Sequence, residues 1–371
     1  MKIGFDAKRL FNNFTGLGNY SRALVYGLNE FYPENDLFLF TPRIIPNEEV
    51  KSFLDSSRYK VVSPRRNSSF WRSFGCVKDI NNLKLDIYHG LSHELPFGIL
   101  KTKAKSVVTV HDLIYITYPY DFSLFDRQIY KLKSLYACQK ADKIIAVSNS
   151  TKNDIINYFN ISDSKVEVVY QSCHHSFKEM LNEEERREVL RKNDLPHNYM
   201  LYVGSVIERK NLLNLVKAIK LLKKENIPPL VVVGKGKKYL YKVKEYVKEH
   251  GLEKMVIFTS GISFIDLPAI YQNAKIFIYP SRYEGFGIPI IEALWSKTPV
   301  ITSDISSLPE AAGPGAFYCN PESAESISEG IQKILSDKAY SDELVVKGFE
   351  HVQQFEDKNN ADRLMEVYKS I

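Results

Sequence analysis

The stretch Tyr279-Pro-Ser-Arg-Tyr-Glu-Gly-Phe-Gly-Ile-Pro-Ile-Ile-Glu-Ala-Leu294 decides how this chain is read. Apolar residues run into Tyr279, a glycine-containing loop follows, and apolar positions then recur with helical period. The pattern predicts a strand, a loop and a helix over 287–296. Open α/β sheets place ligands where strand gives way to helix, because the helix's unpaired N–H groups and positive dipole end favour anions. Gly285 and Gly287, flanking Phe286, let a ligand approach the backbone closely, and Pro289 suits a first helical turn, where a missing N–H costs nothing. Glu284 is expected at the loop tip and Glu292 inside the helix. So placed, one carboxylate accepts hydrogen bonds from sugar hydroxyls and the other from a ribose.

Outward from this stretch, short apolar runs alternate with segments of helical period, as in βαβ units around parallel sheets. The first half predicts strands at 2–5, 37–40, 86–89, 106–110, 143–147 and 166–170, with helices over 20–30 and 151–159. The second predicts strands at 199–204, 230–233, 255–259, 275–279 and 299–302, and helices over 211–225, 267–273, 287–296 and 323–335. The charged segment 182–198 reads as the interdomain connection. The expected class is α/β, with two Rossmann-like domains over 1–180 and 195–350 whose parallel sheets face each other across a cleft. The last segment, 350–371, reads as a helix that either returns to the first domain or stays on the second.

The chain has 371 residues, 44% hydrophobic and 25% charged, which argues against disorder and fibrous repeats. Its net charge of +6 is too mild for a dedicated nucleic-acid binder. Cys76, Cys138, Cys173 and Cys319 form no C-x-x-C and signal neither a disulfide framework nor a zinc site. Asp6, Lys8 and Arg9 interrupt the N-terminus where a signal peptide needs an apolar run, and no stretch is long enough to span a bilayer. A cytoplasmic protein, free or peripherally attached to the membrane, is expected.

Three further clusters carry chemistry. In 202–211, Arg209 and Lys210 follow a strand and could neutralise a diphosphate, Arg as a fork and Lys as a point charge. In 5–24, a loop bearing Gly16 and Gly18 precedes a helix starting near Asn19, which suits a segment closing over a phosphate or sugar. In 108–115, His111 sits at a strand's carboxyl end, where it could exchange a hydrogen bond with a substrate hydroxyl. His89 and His93 lack a third ligand for a metal. No D-x-D occurs, so charge neutralisation falls to Arg209, Lys210 and the helix dipole. Segments 63–75 and 127–140 mix cations with aromatics, a composition that suits either an anionic membrane surface or a partly buried helix.

Together these residues resemble the retaining glycosyltransferase family 4, two-domain GT-B enzymes that use nucleotide sugars. The glycines at 16–18, VHDL at 110–113, VGSVIERKN at 203–211, PSRYEGFGIPIIEAL at 280–294 and PVITSDISSLPEAAG at 299–313 occur in the family's order. The resemblance implies that Glu284 and Glu292 form its Glu-x7-Glu signature, Glu284 near the donor sugar and Glu292 on the nucleotide ribose. It further implies that Arg209 and Lys210 hold the diphosphate, that His111 contacts the transferring sugar, and that the Gly16–Gly18 segment closes over phosphates and acceptor. The substrate would be a GDP- or UDP-linked sugar, with no cofactor and no metal, and the acceptor a glycan or lipid-linked glycan at the inner membrane. The wording is most similar to mannosyltransferase-like members of bacterial surface polysaccharide synthesis. Ser205 departs from the Arg common after the strand-exit glycine, and Gln171-Ser172 from the Asn-Gly common at the interdomain turn. A nucleotide-sugar epimerase of the same shape and a non-catalytic sugar-binding protein are the competing readings.

Overall fold

Runs of Val, Ile, Leu, Phe and Tyr too apolar to leave either face in water form strands buried on both sides, the condition for parallel sheets covered by helices. The computed structural model describes residues 1–64, 70–222, 227–259 and 261–371. It divides into two units, Met1–Ser172 with Phe355–Ile371, and Cys173–Gln354.

The first unit holds β1 (Lys2–Asp6), β2 (Asp36–Phe40), β3 (Tyr59–Val62), β4 (Ile87–Gly90), β5 (Lys105–Val110), β6 (Lys143–Ala146) and β7 (Val166–Val168), ordered β3-β2-β1-β4-β5-β6-β7. The second holds β8 (Met200–Val203), β9 (Leu230–Val233), β10 (Val256–Thr259), β11 (Ile276–Tyr279), β12 (Val300–Ser303) and β13 (Ala316–Cys319), ordered β10-β9-β8-β11-β12-β13. Neighbouring strands pair in parallel, for example Ile3 with Leu37 and Phe277 with Val300. The sequence pattern missed β3 and β13. Both lie at sheet edges and are only four residues long; β3 carries Lys60, and β13 follows Gly-Pro-Gly.

The segment read as the interdomain connection is instead a helix, Glu183–Lys192, within the second unit. Asn182 and Glu185 form a reciprocal cap, and three glutamates in the first turn with Arg191 and Lys192 in the last complement the helix dipole. The chain passes between units upstream, at Ser172–Cys173.

Helix Asp357–Lys369 belongs to the first unit. Leu364, Met365, Val367 and Tyr368 share a core with Ile3, Phe5, Val25 and Leu28. Tyr32 donates to Asp362 at 2.8 Å, and Arg363 pairs with Glu167 at 3.0 Å. Deeper in, the Tyr368 hydroxyl bonds His89 Nδ1 at 2.6 Å, His89 Nε2 bonds Thr109 Oγ1 at 2.8 Å, and Thr109 bonds the Tyr20 hydroxyl at 3.0 Å. Burial lowers the His89 pKa to about 3, so the ring is neutral and each nitrogen needs its partner. Removing one partner of a buried pair costs about 1–3 kcal/mol. Tyr368→Phe should therefore destabilise the first unit by that amount, read as a lower urea midpoint of its transition, and an unchanged midpoint would show that His89 re-pairs.

Candidate active site

In both sheets the strand order reverses at one place, between β1 and β4 and between β8 and β11. The loops that leave the carboxyl ends at such a reversal are the usual ligand position in these sheets. In the second unit those loops are 204–211 and 280–287, the two stretches that carry the predicted phosphate and sugar residues.

The loops are zipped together. After β8 the chain makes a 3₁₀ turn, Glu208–Lys210, and Asn211 takes a left-handed conformation at φ 63°. The Arg209 carbonyl accepts from Arg282 N at 2.9 Å, while Asn211 Nδ2 donates to the carbonyls of Pro280 at 3.0 Å and Pro321 at 2.7 Å. Gly287, at φ 125°, then starts helix Ile288–Trp295. A Cβ there would press to 3.2 Å from Ala311 and 3.3 Å from Ile290, so both conformation and space call for glycine.

Glu284, expected at the loop tip, turns inward. Arg209 Nη1 pairs with Glu284 Oε1 at 2.8 Å, and Lys210 Nζ stands 3.8 Å away. Tyr279 donates its hydroxyl to the same oxygen at 2.8 Å, and Ser281 Oγ does so at 2.9 Å. Lys210 Nζ donates to the Tyr279 hydroxyl at 2.7 Å, and Arg209 also bonds the Tyr283 carbonyl. Burial alone would raise the Glu284 pKa; Lys210, Arg209 and the two hydroxyls outweigh it and hold the carboxyl below its usual range. Burial lowers the Lys210 pKa against the pull of Glu284. The result is a cation-rich cluster built around one matched carboxylate.

Glu292 lies elsewhere in the helix and is treated differently. Its Oε2 accepts from the buried Tyr271 hydroxyl at 2.9 Å, and burial pushes its carboxyl up to about 8. Lys210 feels both carboxylates, Glu284 the more strongly. Gly285, Phe286 and Gly287 are buried; the carbonyls of Glu284 and Phe286 accept from Ser307 Oγ at 2.9 and 2.8 Å, and Ser306 Oγ reaches the Glu284 carbonyl at 2.7 Å. The serines of the loop after β12 thus clamp the backbone that presents Glu284.

In the first unit His111 follows β5, as its sequence position predicts, but both ring nitrogens are engaged: Nε2 with the Leu91 carbonyl at 2.9 Å and Nδ1 with Gln171 Nε2 at 2.9 Å. Burial lowers its pKa to about 3, which leaves a neutral imidazole. The Gly16–Gly18 segment is not a loop. It is the first turn of helix Gly16–Phe31, because Asn13 Oδ1 accepts from Thr15 N at 2.9 Å and Gly18 N at 3.2 Å. A Cβ on Gly18 would fall 1.7 Å from the Asn13 carbonyl oxygen, whereas one on Gly16 meets nothing. At this sheet's reversal point Arg72 bridges Asp6 at 2.6 Å and Glu94 at 2.6 Å. Among the described residues no group of three His, Cys, Asp or Glu is placed to hold a metal ion.

The sequence reading missed Tyr279, Ser281, Tyr271, Ser306, Ser307 and Gln171. Tyr279 carried a signal, since a tyrosine ending a fully buried strand needs a partner for its hydroxyl. The others depend on loops that meet only in three dimensions.

Residues 176–370 match the model of the glycosyl transferases group 1 family, and residues 14–175 that of glycosyltransferase family 4. The O-antigen chain mannosyltransferase B of Escherichia coli is 29% identical over 100% of both chains. The O-antigen chain mannosyltransferase RfbU of Salmonella typhimurium is 29% identical over 72% of this chain and 69% of its own. Among solved structures, sucrose-phosphate synthase of Thermosynechococcus elongatus aligns with a TM-score of 0.78 at 20% identity, covering 100% of this chain and 98% of that one. Anabaena HepE in complex with UDP and glucose aligns with a TM-score of 0.76 at 15% identity over 100% of each. With the group 1 model spanning more than half its length and the family 4 model most of the rest, this chain belongs to the family 4, group 1 glycosyltransferases.

Proposed function

We propose that this glycosyltransferase moves a mannosyl residue from GDP-mannose to a glycan or lipid-linked glycan in bacterial surface polysaccharide synthesis, with retention of anomeric configuration. The observation that carries the proposal is the Arg209–Lys210–Glu284 cluster at the reversal point of the second sheet. The donor sugar is argued from the named mannosyltransferases to which the whole chain, or most of it, is similar.

The chemical barrier is departure of a nucleoside diphosphate from an anomeric carbon that gains oxocarbenium character. Arg209 and Lys210, with the positive end of helix Ile288–Trp295, would stabilise the charge developing on the leaving group. Their geometry is set before the donor arrives, because Glu284, Tyr279 and Ser281 hold them. Glu284 would take sugar hydroxyls through its remaining acceptor capacity. Retention would follow from acceptor attack on the face the diphosphate leaves, with the departing phosphate oxygen taking the acceptor proton. That route needs no protein nucleophile and no metal. His111, neutral and with both ring nitrogens bonded, has no acid–base role in this reading.

Two measurements test this reading. Donor that binds only the folded state raises the melting temperature by mass action. GDP-mannose should shift the wild type, UDP-glucose should not, and Lys210→Ala should lose both the shift and mannosyl transfer while keeping its circular dichroism spectrum. A shift with UDP-sugars alone would overturn the donor assignment, and full transfer by Lys210→Ala would overturn the site. The second measurement concerns Glu292, whose carboxyl is protonated below pH about 8. Ribose hydroxyls donating to it favour the ionised form and lower its pKa in the complex, so binding releases a proton and affinity rises with pH up to about 8. Calorimetry of GDP-mannose binding at neutral pH, in two buffers of different ionisation enthalpy, should detect that release in wild type and not in Glu292→Gln.

A further inference from the structure

Two adjacent residues in the loop after β12 depart from what their local backbone favours, and both turn their side chains to the same peptide segment. Ser306 stands at φ 58°, in the left-handed region that a residue with a Cβ enters at a cost and that glycine or asparagine occupies more readily. Ser307 holds the N-cap position of helix Leu308–Ala312, where a serine hydroxyl ordinarily accepts from an N–H of its own first turn; it makes no such bond. The loop lies within 299–313, a stretch that carries the family resemblance but to which no chemistry has been assigned.

The two hydroxyls bond residues 284–286 instead. Ser306 Oγ accepts from Glu284 N at 3.2 Å and donates to the Glu284 carbonyl at 2.7 Å, so a single hydroxyl engages both backbone polar groups of that residue. Ser307 Oγ lies 2.9 Å from the same carbonyl and 2.8 Å from that of Phe286, and shares its one proton between them. Ser307 is fully buried, so its hydroxyl has no water to turn to. Both lone pairs of the Glu284 carbonyl are thereby taken.

These bonds complement the ion cluster. Arg209, Lys210, Tyr279 and Ser281 hold the Glu284 carboxylate, and the serines hold its main chain. The exits of β8, β11 and β12 therefore converge on one residue. With the carboxylate alone fixed, the backbone of Glu284 would still be free to swing about its side-chain torsions, carrying with it the segment that leads through Gly287 into helix Ile288–Trp295. Fixing both ends removes that freedom. Backbone strain persists only where the surroundings hold it, and it gathers at functional sites.

We propose that Ser306 and Ser307 are positioning residues for glycosyl transfer: they give up local stability to lock the Glu284–Gly287 backbone in the orientation that meets the donor. This rests on the reading of the Arg209–Lys210–Glu284 cluster as the donor site. Glycine at position 306 would suit the left-handed backbone better, yet it would take the hydroxyl away from both polar groups of Glu284.

Ser306→Gly in the full chain therefore separates strain from bonding. Amides across 283–287 should exchange with deuterium faster than in wild type, while those of β11 keep their rate. The urea midpoint of the second unit should stay at the wild-type value or rise, because the strain is relieved as the bonds are lost. The kcat for mannosyl transfer should fall about tenfold or more. KM for GDP-mannose should change less than about threefold, since the cations keep their own partners. Ser307→Ala should act in the same direction, and the double variant should lose less than the product of the single losses, because both hydroxyls hold one carbonyl. Full kcat in Ser306→Gly, or unaltered exchange across 283–287, would overturn the proposal. So would a loss of activity matched by a lower urea midpoint, which would make Ser306 an ordinary structural residue. The reading beneath it fails separately, through full transfer by Lys210→Ala; full kcat in Ser306→Gly beside an inactive Lys210→Ala would sink the proposal alone. A wild type that uses a UDP-sugar changes the donor in the assay and leaves the comparison as it stands.

Discussion

Burying a carboxylate is unfavourable unless hydrogen bonds and opposite charge replace the water it loses. Glu284 meets that condition with two cations from one loop and two hydroxyls from its own strand and loop. Much of the second unit's local geometry follows from it. The 3₁₀ turn at Glu208–Lys210 delivers both cations from adjacent positions, the left-handed Asn211 ties that turn to the carbonyls of Pro280 and Pro321, and Ser306 and Ser307 fix the backbone on the other side. A site organised around a matched internal anion keeps its cations oriented before any ligand arrives, which is the arrangement electrostatic catalysis requires.

The two sheets solve one topological problem twice and use the answer differently. Both reverse strand order at a central pair, and both place an ion cluster there: Arg209 and Lys210 with Glu284 in the second unit, and Arg72 between Asp6 and Glu94 in the first. In the second unit two cations share one carboxylate, and the remaining positive charge suits a diphosphate. In the first, Arg72 faces two carboxylates and Glu94 also draws Lys133, so charge is balanced locally and suits neutral hydroxyl groups better than phosphate.

What the sequence disclosed was what strands and spacing encode. Interior strands such as β5 and β11 announced themselves because burial on both faces leaves little choice of residue, and Glu284, Arg209 and Lys210 stood out because they sit at strand exits. The strands β3 and β13 escaped because each is only four residues long, the first interrupted by Lys60 and the second placed directly after Gly-Pro-Gly. The conformation of Gly16 and Gly18 was misread because the deciding contact is a side-chain cap from Asn13, which a loop-like composition conceals. Gln171 looked like a departure at a turn, and only the fold shows it bonded to His111, sixty positions earlier in the chain. The different surroundings of Glu284 and Glu292 were equally hidden, since Tyr271 is far from either in sequence.

The return of helix Asp357–Lys369 to the first unit makes the second unit an insertion within the first. Its consequence is temporal. During synthesis Val25 and Leu28 are made long before Leu364, Met365, Val367 and Tyr368, so the first unit's core cannot close until the whole of the second unit has been made. The half of the protein made first is thus completed last. Until then the surface that these side chains will cover around Val25 and Leu28 stays open to chaperones and to misassociation.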